Sequence, residues 1–124
     1  MTPLQDQFGN TIAYLHKKML IDPTCKTVLG LIVGNCLFGN RAEPVGKFFN
    51  NTIRDIQGRI ISKLSAEFYS APVNERDLMA GTWNILMQIK NHVCTWIPEL
   101  TTWSDKDLTE VLAVDEVHSS QMSK

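Results

Sequence analysis

In the middle of the chain, Phe49, Ile53, Ile56, Ile60, Leu64 and Phe68 recur at three- and four-residue steps. On a helix such positions share one face, so the pattern predicts a helix over 44–69, opened by Pro44 and stopped by Ala71 and Pro72. A second apolar face follows, made by Leu78, Ile85, Ile89, Val93 and Trp96 and widened by Met79, Trp83 and Leu86. Asn74 with Asp77 reads as its cap, made with a shorter acid than the usual capping box, and Pro98 as its stop. Because few residues separate 44–69 from 75–97, the two predicted helices form an antiparallel hairpin. Ile56 falls within the first stripe, so an aspartate there is expected to unfold the domain.

The remaining segments are read the same way. Thr2 and Pro3 open a helix on which Leu4, Phe8, Ile12, Leu15 and Met19 step along one face, interrupted by Gly9 and Asn10. From 24 to 38 the polar face disappears, and periodicity leaves two readings for 28–38: a central helix or a buried strand. Gly30 and Gly34 would share a helix face where another helix comes close, whereas in a strand they would be a liability. Ser104 with Asp107 caps a short last helix carrying Leu108, Val111, Leu112 and Val114. No internal repeat stands out. The resulting expectation is an all-α, compact bundle of four or five helices built on the long antiparallel hairpin, with one helical domain over 1–117 and a flexible tail over 118–124.

Composition fits a globular domain: of 124 residues, 44% are hydrophobic and 20% charged. The net charge of −1 supplies no field for nucleic acid or an anionic membrane. Its distribution is uneven, at +3 over 23–71 and −4 from Glu99 onward. The acidic end is a solvated surface or a contact for a basic partner. The most apolar run, 28–38, is about half the ~20 residues that a membrane helix needs. No basic region with an apolar run and cleavage site opens the chain, so no signal peptide is expected. Cys25, Cys36 and Cys94 are an odd number without paired spacing, which points to the cytoplasm rather than a secreted disulfide framework.

Candidate chemistry is sparse. His16, His92 and His118 form no metal-ligand spacing with one another or with the cysteines. Cys36 and Cys94 read as small core residues, and no nucleophile elbow or phosphate loop is present. No metal, cofactor or catalytic residue is therefore expected. The opening Pro3-Leu4-Gln5-Asp6-Gln7-Phe8-Gly9 with Tyr14-Leu15 resembles the start of the radical-SAM cyclase of molybdenum cofactor synthesis. That family's CxxxCxxC is replaced here by His16-Lys17-Lys18 and a lone Cys25, so the resemblance carries no cluster chemistry. Lys47 and Arg54 fall on a different helical side from Arg59 and Lys63, which makes nucleic acid an improbable partner.

Protein binding remains. Met79, Trp83, Met87, Trp96 and Trp103, with Asp105, Asp107 and Glu110, are the candidate contact residues. The expected function is a small non-enzymatic regulator, inhibitor or adaptor, acting on another protein or on itself as a homodimer. The alternative is an assembly component, such as a chaperone or connector subunit, of a larger particle.

Overall fold

The computed structural model describes residues 1–94 and 96–112. It replaces the helical bundle with a closed, eight-stranded antiparallel barrel whose neighbours in sequence are neighbours in the wall. The strands are β1 (Thr2–Gln5), β2 (Thr11–His16), β3 (Met19–Ile21), β4 (Val28–Val33), β5 (Cys36–Phe38), β6 (Gly46–Phe49), β7 (Thr52–Asp55) and β8 (Ile60–Leu64). Pairing of β8 with β1 closes the wall. Two helices follow, α1 (Glu75–Gln88) and α2 (Leu108–Leu112).

The expected helical hairpin is therefore wrong in both arms. Residues 44–69 contain three strands, and the second helix ends at Gln88 rather than at 97. The expected first helix is the β1–β2–β3 meander, and 28–38 takes the strand alternative as the hairpin β4–β5. Val114, Val117 and the tail expected over 118–124 lie outside the described residues, as does Thr95.

Tight turns make the hairpins. Lys17 and Lys18 join β2 to β3 with φ of 50° and 69°, and Asn50 and Asn51 join β6 to β7 with φ of 53° and 61°. Positive φ at both central residues matches the twist of the flanking strands. Gly34, at φ 64°, begins the Gly34-Asn35 turn between β4 and β5.

The opposite end carries longer loops with a recurring device. Asp6 accepts from the N–H groups of Phe8 and Asn10, and Asp55 accepts from Gln57 and Arg59 in the same two- and four-residue pattern. Asp22 does likewise with Lys26 and Thr27 in a loop longer by one residue. An aspartate thus closes the β1–β2, β3–β4 and β7–β8 connections in the same way.

Burial works against ionisation of Asp22, but the Thr24 hydroxyl and the N–H groups of Thr27 and Lys26 outweigh it and hold the carboxyl below its ordinary value of 3.8. A depressed folded pKa contributes stability that is complete above the ordinary value and is lost as pH falls through the lowered one. Asp22→Ala should therefore cost about 1 kcal/mol at neutral pH and progressively less in acid. Urea melts of both proteins across that range check this, and a pH-independent difference would refute it.

Directly opposed residues of an antiparallel pair share a face. The pairs Leu4↔Ala13, Leu20↔Gly30, Ile32↔Leu37, Phe48↔Ile53 and Ile53↔Ser62 accordingly fill the lumen. Leu108, Val111 and Leu112 of α2 join this interior cluster and close the loop end, where the Asn40 N–H donates to the Leu112 carbonyl at 2.8 Å.

The outer face is also covered, because residues 65–94 and 96–104 wind around the barrel as a belt that meets the strands in order. Tyr69 exchanges two backbone hydrogen bonds with Met1 and stacks on Tyr14 of β2 at 4.7 Å. Helix α1 then lies over β3 and β4, with Leu78 and Ile85 against Met19, Ile21, Val28 and Leu31. Ile89 packs on Cys36 and Phe38 of β5, and Lys47 of β6 donates to the Ile97 carbonyl at 2.7 Å. Arg54 of β7 reaches the Leu100 carbonyl, and Ile60 of β8 accepts from Ser104 at 2.7 Å.

Candidate binding surface on the belt helix

Helix α1 starts where the sequence places it. The Asn74 side chain accepts from the Asp77 N–H at 3.2 Å, satisfying one of the free donors of the first turn. Glu75 fixes that end to the β2–β3 turn, 3.1 Å from His16 Nε2 and 3.7 Å from Lys17 Nζ. The His16 hydrogen bond, aided by Lys17, holds the Glu75 carboxyl below its usual value despite some desolvation. Further along, Gly81 faces Val28, so the helix approaches β4 closely in mid-span.

With Leu78 and Ile85 fixed against the wall, the opposite side of α1 is set. Met79, Trp83 and Met87 are four residues apart and project from it in one line, with 48%, 60% and 77% of their surfaces exposed. Beyond the helix, Val93 and Trp96 are also solvent-exposed, Trp96 at 85%. Three large, flexible or aromatic side chains on a helix that cannot roll inward make a preformed apolar ridge.

The other candidates are elsewhere. Trp103 is half-buried beside β8, bridged to Ile60, with the Lys63 ammonium 5.6 Å from its ring centre. Asp105, Asp107 and Glu110 are exposed on the segment that caps the barrel, and the Glu110 carboxylate accepts from the Asp107 N–H at 3.1 Å. Together with Phe8, Ile12 and Ile61, residues 103–109 border a cavity of about 500 Å³ at the barrel mouth. The eight candidates therefore divide between the α1 side and the cap.

Sequence reasoning missed the cysteine pairing. Cys36 is buried but Cys94 is exposed, and the two form a disulfide with Cα atoms 5.8 Å apart. Nothing in a separation of 58 residues announces that contact. Cys25 is free and buried. Among the described residues there is no group of three His, Cys, Asp or Glu placed to hold a metal ion, and no helix long and apolar enough to cross a membrane.

What the geometry defines is a small belted β-barrel that presents one face of a helix. No protein-family model matches this chain, and comparison with curated proteins and with solved structures gives no match.

Proposed function

We propose that this protein is a non-enzymatic binding module, a regulator, inhibitor or adaptor, that places the Met79–Trp83–Met87 ridge of α1 in an apolar groove of a partner protein. The observation that carries the reading is the exposure of three large side chains in one line on a helix whose other face is anchored. A helix offering anchors at four-residue intervals suits a groove in a second protein, and tryptophan and methionine are enriched at such interfaces. The partner is another protein or a second copy of this chain, rather than nucleic acid. Lys47 and Arg54 support this preference, since both are engaged by carbonyls of the belt. A cytoplasmic setting belongs to the same reading on the unpaired Cys25, with Cys36–Cys94 as a bond that a reducing compartment would make transient.

Native mass spectrometry of the protein drawn from its own cell tests the proposal. The parent should carry a stoichiometric protein, itself or another, at low salt. Trp83→Ser combined with Met87→Ser should weaken that complex by roughly 30-fold, the effect of losing an interface hot spot. The same change should leave the melting curve within about 0.5 kcal/mol of the parent, as expected for exposed positions. Retention of the partner by the double variant would sink the assignment.

A further inference from the structure

We propose that the Cys36–Cys94 disulfide is a redox latch, which a dithiol reductant opens to release belt residues 89–97 while the barrel stays closed. The two ends of the bond are unlike: Cys36 belongs to β5 and is buried with Phe38 and Ile89, whereas Cys94 lies in an irregular segment and is exposed. Apart from the disulfide, the described anchors of this segment are few. The N–H groups of Lys90 and Asn91 share the Ala42 carbonyl at 2.8 and 3.0 Å, Ile89 is buried, and the His92 ring sits 5.8 Å from that of Phe38. At the far end Lys47 holds the Ile97 carbonyl and the Ile97 side chain is buried. Between these points Asn91, His92, Val93 and Trp96 are exposed, and the disulfide is the covalent tie in the middle of the segment. The barrel wall, by contrast, is held by a continuous ladder in which β5 pairs with β4 and β6 whatever the state of its sulfur.

Accessibility sets the order of events. A reductant thiolate attacks Sγ of Cys94, the exposed residue of the pair, the disulfide breaks, and Cys36 leaves as a thiolate that takes up a proton. The second thiol of the reductant then displaces Cys94 from the mixed disulfide. The reductant leaves oxidised to its own disulfide, and both protein cysteines are left as thiols. A disulfide in a reducing compartment is of the transient, sensing kind, a step that rests on the cytoplasmic setting proposed above. Opening the latch frees Val93 and Trp96 from their fixed position beyond α1. This mechanism holds whether or not the α1 ridge binds a partner.

Hydrogen exchange followed by mass spectrometry on the whole protein, after treatment with oxidised or reduced dithiothreitol, is the test. The oxidised protein should show one thiol, labelled only on unfolding, and the reduced protein three. On reduction, exchange across 89–97 should quicken by about tenfold or more, since disulfides commonly restrain far more than that, while β3–β6 keep their protection. Cys94→Ser, altering only the exposed partner, should reproduce the reduced pattern without a reductant. Three thiols after oxidation, unchanged exchange over 89–97, or loss of protection throughout the wall would each overturn the latch.

Discussion

Ile53→Asp should leave the protein largely unfolded, with a loss of at least about 4 kcal/mol, whereas Ile56→Asp should stay within about 0.5 kcal/mol of the parent. The two isoleucines are three positions apart and were read from the sequence as members of one buried stripe. Ile53 lies in the lumen at 0% exposure, opposite Phe48 and Ser62, while Ile56 is in the β7–β8 loop at 48%. A carboxylate at position 53 would lie among apolar side chains and the Ser62 hydroxyl, with no cation among the described residues of the lumen cluster to pair with. It would remain protonated well above its ordinary range, so the damage should be greater at neutral pH than in acid. Chemical denaturation of both variants at two pH values decides the matter. Equal losses at both positions would restore the stripe and contradict the barrel register.

That pair shows why the fold was hidden. In 44–69 the four-residue strands β6 and β7 are followed by turns of two and four residues, so equivalent positions return at short, near-helical intervals. Phe49, Ile56 and Phe68 enter the apparent stripe from strand ends, loops and belt, and all three are exposed. Elsewhere the alternation that marks a half-buried strand is missing because the belt covers the outside. Leu31 faces α1 and Ile32 faces the lumen, so β4 is apolar on both faces and reads as a fully buried segment. Hairpin signals were present in Gly34-Asn35 and Asn50-Asn51. Lys17-Lys18 sends no such signal, although its backbone adopts the same left-handed conformation. Helix α1 was legible because its cap is local: Asn74 and Asp77 need no tertiary contact to make their bond. The exposure of Met79, Trp83 and Met87 was not legible, because the wall that fixes the opposite side of α1 is a tertiary feature. The apolar face that Met79 and Trp83 widen is divided between the barrel wall and the Met79–Trp83–Met87 ridge.

Adding one methyl group at two glycines should move stability in opposite directions. Gly46 sits in β6 opposite Asp55, and a Cβ there would stand closer than 3.0 Å to the Arg54 carbonyl oxygen and 3.2 Å from Leu37 Cδ2. The first obstacle is backbone in the neighbouring strand, which can yield only by opening the wall where β5, β6 and β7 meet. Gly46→Ala should therefore cost about 3 kcal/mol, the range seen for overpacked cores. Gly81 instead lies in the middle of α1, and its Cβ would meet Val28 side-chain atoms at 3.4 Å, an ordinary contact. There the alanine gains helix propensity of roughly 1 kcal/mol over glycine. Gly81→Ala should leave the protein as stable as the parent or more so, since the added methyl fits against β4. Thermal melts of the two variants, read beside the parent, separate a clash within the barrel wall from a gain on the belt. A stable Gly46→Ala protein would mean that β6 and β7 do not approach as closely as their pairing requires.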